Sequence, residues 1–378
     1  MKRIIAFILS LLLIGGIYVS AEGNNALNLS TESVILMESS TGKILYDNNC
    51  DTRLAPASIT KIMSLILVME AIEQGNFTLD TVLTCSDTAA ALGGSQIWLE
   101  PGEQMNVNDL LKAVVIVSAN DATVLLAEAV AGSEESFVAL MNKRAKELGM
   151  NNTNFCNATG LDAENHYSTA YDVAIMASEL LKHKKITEYS TVWMDSLRNG
   201  ESELTNTNRL VRFYEGCTGL KTGTTATAGY CLAASATRNG LSLVAVVMNS
   251  PSSNDRFADA QKLLNYGFAN YSYINVKPEL TGEEVITVKN GVEQTVKIEA
   301  ESEFCALVKK SEEKNITQSV TYAEQLEAPI EKGSVVGSIT FYCGEEVIGN
   351  INIVTSESCE KMSFLKAFLF ILRMMTAL

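Results

Sequence analysis

Ser58 and Lys61 are the first residues of this 378-residue chain whose types and spacing could perform catalysis. A three-residue spacing places both side chains on the same side of one helical turn. A serine hydroxyl becomes a nucleophile when a base takes its proton, and a desolvated lysine with a lowered pKa can be that base. A serine at a helix N-terminus also lies beside backbone N–H groups that stabilise developing negative charge. Alone, the pair is more typical of a capping serine next to a solvated lysine.

A second motif, Ser118-Ala119-Asn120, ends the apolar run 113–117. Its hydroxyl and carboxamide, two residues apart, could relay a proton and bind an amide carbonyl. By itself this pattern is more often a turn or a helix cap.

A third motif, Lys221-Thr222-Gly223, begins a β-like run and continues into Thr224. A cation, two hydroxyls and a glycine would let a substrate lie along the strand and present a carboxylate there. A lysine in such a strand is otherwise usually an exposed edge residue.

In this order, Ser-x-x-Lys, Ser-x-Asn and Lys-Thr-Gly resemble the signature of the penicillin-binding protein and serine β-lactamase superfamily. Over about residues 28–275 the chain resembles the low-molecular-mass D-alanyl-D-alanine carboxypeptidases, and it does so more loosely to its end. The resemblance implies an α+β transpeptidase-like domain followed by a small β domain and an amphipathic helix. The stretches that carry the closer resemblance are 57–63, 94–95, 101–103, 117–121, 160–161, 167–170 and 228–230.

The resemblance also implies a mechanism that needs no cofactor. Ser58 would attack the carbonyl between the two D-alanines of a peptidoglycan stem pentapeptide, and Lys61 would accept its proton. Ser118 and Lys221 would carry a proton to the departing nitrogen, while Asn120 would hold the substrate amide. Penicillins would acylate the same serine.

Several residues are implied around the bound end of the substrate. The backbone N–H groups of Ser58 and Thr224 would form the oxyanion hole. Thr222 and Thr224, next to Gly223, are candidates to bind the terminal carboxylate. Arg256 is equally well interpreted as a carboxylate ligand or as a structural arginine, and Arg209 is a weaker candidate.

Composition excludes several other classes of function. The formal charge of −15 argues against a nucleic-acid partner, which needs a basic surface to neutralise phosphates. The chain has 2 histidines, so a multi-histidine metal centre is impossible. The sequence contains no Cys-x-x-Cys pair, so a four-thiolate zinc site is improbable. His166 falls in a loop that the family places near the site, where we expect a structural role.

Three alternative functions share parts of this pattern. A class A β-lactamase typically has Ser-Asp-Asn and a deacylating Glu-x-x-Leu-Asn, and the nearest match, starting at Glu201, lacks the asparagine. A DD-endopeptidase that cuts peptidoglycan cross-links has the same motifs, so the motifs leave it open. A non-enzymatic wall-binding protein is disfavoured, because drift would have erased part of an intact catalytic set.

Short β-like runs alternate with helical stretches in the predicted catalytic domain, residues 22–275. Residues 33–38 and 42–46 predict a hairpin, and the helical period predicts helices over 58–73, 108–131 and 134–148. Three consecutive strands are predicted at 219–225, 229–237 and 241–248. Strands at both ends of a helical middle favour one α+β domain whose sheet unites the two ends.

Residues 276–356 predict a second, all-β domain. An Asn290-Gly291 dipeptide between 285–288 and 292–298 is the signal of a two-residue hairpin turn. The runs 339–343 and 347–354 flank Gly344 and predict another hairpin.

Both ends of the chain suggest export and membrane attachment. Residues 1–21 combine two cations, an apolar run and a small-residue exit, as a signal peptide does; an uncleaved anchor is the alternative. In the predicted helix 357–378, Lys366 and Arg373 share one face and leave the rest apolar, which suits a membrane interface. The alternative is a helix docked on the protein's own core. We therefore expect the protein to be exported and to act at the outer face of the cytoplasmic membrane, by the cell wall.

Cys217 and Cys231 are the candidates for a disulfide among the 8 cysteines. A hairpin centred near residue 224 would place them opposite each other, close enough for a bridge after modest adjustment. Two reduced thiols are the alternative.

Overall fold

The computed structural model describes residues 27–280, 282 and 284–376. The predicted signal peptide, residues 1–21, lies outside them. The chain divides into two compact units. The first contains the residues up to Tyr214 with Thr218–Ala234 and Val244–Leu263, and the second contains Glu215–Cys217, Ser235–Leu243 and the residues from Leu264 onward.

The first unit contains most of a sheet whose strands come from both ends of the predicted catalytic domain; three of these strands and the last helix also include residues assigned to the second unit. Among the described residues the strand order is β2-β1-β9-β8-β7, and two small pairs, β3-β4 and β5-β6, lie elsewhere. The strands are β1 (Ser33–Glu38), β2 (Ile44–Asn48), β3 (Val82–Thr84), β4 (Gln104–Asn106), β5 (Met194–Leu197), β6 (Ser202–Thr205), β7 (Cys217–Thr225), β8 (Gly229–Arg238) and β9 (Leu241–Ser250). The predicted first hairpin and the three consecutive strands are therefore confirmed.

Helices form the rest of this unit. They are α1 (Lys61–Glu73), α2 (Asp87–Ala90), α3 (Val107–Lys112), α4 (Asn120–Ala131), α5 (Glu134–Glu147), α6 (Ala170–Leu180), α7 (Ile186–Ser190), α8 (Leu210–Phe213) and α9 (Ser253–Asn270). Helix α1 packs against α4, α5 and α6, and α6 packs against β1. Because α1 is apolar on nearly every side, it is the buried centre of the helical region.

The second unit is predominantly β. Its elements are β10 (Tyr271–Val276), β11 (Val285–Lys289), β12 (Thr295–Ala300), β13 (Phe304–Lys309), β14 (Ile316–Tyr322), β15 (Gln325–Glu327), β16 (Val335–Cys343), β17 (Glu346–Thr355) and α10 (Phe364–Thr376). Over the described residues one sheet has the order β14-β16-β17-β12-β11-β15, and β10 pairs with β13. Phe304 and Phe341 stack in its core with ring centroids 4.1 Å apart.

The two hairpins predicted for this unit differ in outcome. Cys343 pairs with Glu346, so the turn at Gly344 has two residues and that prediction is confirmed. The two-residue turn at Asn290-Gly291 is wrong, because β11 ends at Lys289 and β12 begins only at Thr295. The intervening backbone bonds the C-terminal segment instead: Val292 N donates to Glu360 O at 2.8 Å and Met362 N to Asn290 O at 2.8 Å.

The disulfide between Cys217 and Cys231 is not present, and both residues are reduced thiols. Thr237 N donates to Gly216 O at 2.8 Å, so the β7–β8 hairpin is centred near residue 227 and not near 224. That register shift moves Cys231 away from Cys217. The Cys231 thiol is buried and accepts a hydrogen bond from Asn249 N at 3.4 Å.

Helix α10 stands out because its apolar side chains are exposed. Phe364 is 89% exposed and Met375 is 73% exposed. At ~1.5 Å per residue its 13 residues extend about 20 Å, less than the ~30 Å of a bilayer core. No helix in the described part of the chain has the length and apolar character needed to cross a membrane.

Candidate active site

Ser58 lies in a short 3-10 turn, Ala57–Thr60, immediately before α1. In a 3-10 turn residues three apart eclipse each other, so Ser58 and Lys61 face the same way. Ser58 Oγ lies 3.0 Å from Lys61 Nζ. The preceding Ala57 has a φ of +49°, a left-handed conformation that is uncommon outside glycine. The predicted pair is therefore formed by a strained turn and not by a regular helical start.

Lys61 is completely buried, and its amine contacts two oxygen acceptors besides the serine. Nζ donates to Asn120 Oδ1 at 2.6 Å and to the Thr159 carbonyl at 2.7 Å. Burial, followed by the charge of Lys221, lowers the pKa of Lys61 well below its usual value. A neutral amine has two protons and one lone pair. In that neutral form, with both protons on these two acceptors, the lone pair would face Ser58 Oγ.

The Ser-x-Asn motif occupies a break between helices. The predicted helix over 108–131 is wrong as one continuous element: α3 passes into a π turn, Ala113–Val117, and α4 begins at Asn120. Ser118 has a φ of +65° and closes that turn. Its hydroxyl is buried and has no hydrogen-bond partner among the described residues. The hydroxyl is therefore available to a ligand.

Asn120 joins the lysine to a neighbouring loop. Its Nδ2 donates to Gly93 O at 2.6 Å, and its backbone N–H donates to Ser95 O at 2.7 Å. Since Oδ1 accepts from Lys61, the amide orientation is set by both neighbours. The loop at residues 93–95 therefore belongs to the wall of the site.

Strand β7 contains the third motif, Lys221-Thr222-Gly223, and its Gly223 lies against Ser58. A Cβ at Gly223 would lie 2.9 Å from Ser58 N and 3.0 Å from Ala57 Cβ, so only glycine allows this approach. Lys221 is buried, and Nζ donates to Thr222 O at 3.2 Å. Burial, with a smaller effect of the Arg256 charge, lowers the pKa of Lys221 to about 7.

Two arginines were candidates for the substrate carboxylate. Arg256 is buried and donates from Nη1 to Thr224 Oγ1 at 3.0 Å and to Gly223 O at 3.1 Å. It therefore supports the end of β7, with Thr224 exposed beside it. Arg209 is exposed and lies over the Phe257 ring, 5.7 Å from its centroid. Thr222 Oγ1 donates to Thr207 Oγ1 at 2.8 Å, which adds a hydroxyl to this wall.

His166 contacts the turn Ala57–Thr60, which carries Ser58 and is called the nucleophile turn below. Its Nδ1 accepts from Cys156 N at 3.2 Å, so Nε2 carries the proton and donates to Thr60 Oγ1 at 2.8 Å. Burial lowers the pKa of the imidazole to about 4, which keeps it neutral. These contacts tie the 156–166 loop to the turn that holds Ser58.

The sequence analysis did not predict that Thr159 and Gly160, on the 156–166 loop, help to form the site. The Thr159 carbonyl accepts from Lys61, and a Cβ at Gly160 would lie only 1.8 Å from Ala57 O. A backbone carbonyl has no signal in the residue type. The glycine did belong to a stretch that resembled the family, and that stretch was the available clue.

A family model of D-alanyl-D-alanine carboxypeptidases matches residues 20–252, and a model of the penicillin-binding protein 5 C-terminal domain matches residues 273–361. The chain thus belongs to the D-alanyl-D-alanine carboxypeptidase family, and the resemblance to low-molecular-mass penicillin-binding proteins is confirmed.

Individual relatives resemble the chain over nearly its whole length. It is 40% identical to D-alanyl-D-alanine carboxypeptidase DacF of Bacillus subtilis (strain 168), over 97% of this chain and 96% of that protein. It is 37% identical to DacC of Escherichia coli (strain K12), over 87% and 84%. The crystal structure of penicillin-binding protein 5 from Haemophilus influenzae matches with a TM-score of 0.75 at 30% identity, covering 88% of this chain and 98% of that one. The predicted fold class is confirmed by this match.

Proposed function

We propose that this serine D-alanyl-D-alanine carboxypeptidase removes the terminal D-alanine of peptidoglycan stem pentapeptides through an acyl-enzyme on Ser58. The arrangement of Lys61 carries the proposal. Its two amine protons are directed at Asn120 Oδ1 and Thr159 O, so its lone pair can accept the Ser58 proton. Such an activated serine attacks the scissile carbonyl.

The attack develops negative charge on the carbonyl oxygen. Ser58 N and the Thr224 N–H are the proposed donors to this oxyanion, since Gly223 brings β7 against the nucleophile turn. Ser118, whose buried hydroxyl has no described partner, can pass a proton to the departing nitrogen. Lys221 is the proposed source of that proton, because a pKa of about 7 makes it an effective acid. Water then hydrolyses the ester.

The terminal carboxylate of the substrate needs donors at the end of β7. Thr222 and Thr224 provide hydroxyls, and Arg256 provides a cation that already contacts Thr224. Because the Arg256 guanidinium also bonds two backbone carbonyls, its contribution to binding acts largely through the position of Thr224.

The site of action is proposed to be the outer face of the cytoplasmic membrane, because peptidoglycan lies there. The signal-peptide pattern of residues 1–21 supports export. Helix α10 supports attachment to the membrane surface: it is too short to span, and its exposed side chains include Phe364, Leu365, Phe368 and Leu369.

The test is release of D-alanine from a peptide ending in D-Ala-D-Ala, with a cross-linked dimer assayed in parallel. The proposal expects D-alanine release and acylation of Ser58 by penicillin, and Ser58→Ala should abolish both. Faster cleavage of the dimer would identify a DD-endopeptidase. A penicilloyl group found by mass spectrometry on any other residue would overturn the mechanism.

A further inference from the structure

Trp98 is an exposed indole next to the active site that the proposed reaction does not use. Its side chain is 77% exposed. Its φ is +60°, a conformation in which a bulky residue is a genuine outlier. Strain of this kind persists only where the surroundings over-determine it, and it is concentrated at functional sites.

The surroundings of Trp98 hold its backbone from both sides. The N–H groups of its neighbours, Ile97 and Leu99, donate to the buried Asp121 carboxylate at 3.1 and 3.0 Å. The Arg198 guanidinium donates to the Ile97 carbonyl at 2.9 Å. The loop therefore wraps around Asp121 and presents the indole to solvent.

The same loop reaches the catalytic residues. Its Gly93 and Ser95 carbonyls accept hydrogen bonds from Asn120, as described above. Trp98 is three positions after Ser95, so their Cα atoms are at most ~10 Å apart. An extended stem of five residues is ~16 Å long. A stem of this length whose last residue lies at Ser58 is long enough to pass the 93–95 loop, which bonds Asn120, and to reach the segment that carries Trp98.

The chemistry of the adjoining cleft fits a neutral sugar. The cleft has a volume of about 400 Å³, and its lining includes Trp98, Gln96, Asp87 and Glu100. The negative face of an indole attracts the weakly positive C–H face of a pyranose. Carboxylates and a carboxamide can bond hydroxyl and acetamido groups. Two acidic side chains would repel an anionic polymer or an anionic lipid headgroup.

We propose that Trp98 and this cleft bind an N-acetylated sugar of the glycan strand that carries the stem peptide. The inference rests on the proposed function, since it places the sugar end of the same substrate. It makes Trp98 a determinant of preference for glycan-linked over sugar-free peptide.

Binding can be measured without catalysis. The chain has 2 tryptophans, so Trp193→Phe leaves Trp98 as the fluorescent reporter. Titration with N,N′-diacetylchitobiose, an uncharged disaccharide of two N-acetylated sugars, should shift its emission to the blue, in Ser58→Ala as well. Cellobiose is the control sugar. No shift with the disaccharide overturns the proposal, and so does a shift that occurs only with anionic lipid vesicles.

Kinetics test whether this binding serves the reaction. The kcat/KM for disaccharide-pentapeptide, divided by that for the same pentapeptide without sugar, should fall about tenfold in Trp98→Asn. Asparagine tolerates the left-handed backbone, so this variant removes the ring and keeps the loop. Trp98→Phe should retain most of the ratio, and Phe213→Ala, which removes another exposed ring, should not change it.

The outcomes separate this proposal from the proposed function. An equal loss on both substrates in Trp98→Asn would assign the residue to loop structure and overturn the sugar site. If wild-type protein cleaves neither substrate, the proposed function fails, and the fluorescence titration still decides whether the cleft binds sugar.

Discussion

At the scale of single residues, the site depends on a lysine whose charged form is destabilised by its surroundings. Lys61 is 0% exposed, and its amine contacts a serine, a carboxamide and a backbone carbonyl. Burial removes the solvation that an ammonium group needs, and the neighbouring Lys221 adds repulsion. The same two effects that destabilise the charged lysine would favour its proposed role as a base.

Replacing Lys61 with Met should separate catalysis from stability. Loss of the base should reduce penicillin acylation and D-alanine release by about 10²- to 10⁴-fold. The free energy of unfolding should change little, because Met removes a buried polar amine but also removes the donor to Asn120 Oδ1 and Thr159 O. Stopped-flow acylation and urea denaturation measure the two effects. Lys143→Met, at a side chain that is 73% exposed, is the matched control, and wild-type acylation in Lys61→Met would contradict the role.

At the scale of elements, β7 and the 57–60 turn that carries Ser58 approach each other closely because β7 has no side chain at Gly223. Gly223 on the strand has Ser58 N, Ala57 Cβ and Pro56 O within 3.0 Å of the position that a Cβ would take. An added methyl group must move the strand or the turn.

Gly223→Ala should therefore impair the chemistry more than the fold. A displacement of up to 1 Å between strand and serine should lower kcat/KM by about 10²-fold. Steady-state assays with a D-Ala-D-Ala peptide measure this. Ala226→Ser, in the exposed turn after β7, should behave as wild type. Full activity of Gly223→Ala would show that β7 does not form the oxyanion hole.

The C-terminal helix is the element that connects the protein to a surface. Residues 357–363 belong to the β unit, because Ile330 N donates to Cys359 O at 2.8 Å and Cys359 is buried. Helix α10 begins only at Phe364, where the apolar side chains become exposed. A truncation that spares the β unit must follow Ser363.

Removal of residues 364–378 should release the protein from membranes without loss of activity on small peptides. Phe368→Glu should weaken attachment in the full chain, since the side chain is 52% exposed among apolar neighbours. Sedimentation with anionic vesicles measures both. Lys332→Glu, an exposed change of charge in the β unit, is the control. A truncated protein that still sediments, with its signal peptide removed, would refute attachment through α10.

At the scale of the whole molecule, the buried Lys221 should make stability depend on pH. Lys221 titrates near pH 7 when folded and near its ordinary pKa of 10.5 when unfolded. Between these values the unfolded chain binds more protons, so the free energy of unfolding rises with pH. Below about pH 7 Lys221 is protonated in both the folded and the unfolded state. The full cost of burying its charge then lowers the free energy of unfolding.

Wild-type protein should therefore become more stable between about pH 7 and pH 10 by at most ~1.4 kcal/mol per pH unit from this lysine. Lys221→Met should flatten that rise. Urea denaturation followed by tryptophan fluorescence reports the first unit, which contains Trp98 and Trp193. Identical pH dependence in the two proteins would mean that Lys221 keeps its proton when folded.

The sequence alone determined the chemistry and the fold class. Ser58 and Lys61 are three residues apart, so local geometry brings them together whatever surrounds them. The strands of the main sheet in the first unit were also predictable, because they too depend on a local sequence pattern. Their apolar runs are local patterns, and the strand predictions were confirmed for β1, β2, β7, β8 and β9, while the short strands β3 to β6 were not predicted.

The tertiary structure decided what long-range contacts impose. The helix over 108–131 breaks at Ser118 although its residues favour continuation, because Asn120 and Asp121 bond the loop at 93–99. The turn after Lys289 lengthens because its backbone pairs with the C-terminal segment, and the Cys231 position follows from a register that side-chain types do not specify. The Thr159 carbonyl completes the environment of the catalytic lysine, and a backbone oxygen is the same in every residue. Only the folded structure shows that the carbonyl of Thr159, among all backbone carbonyls, contacts Lys61.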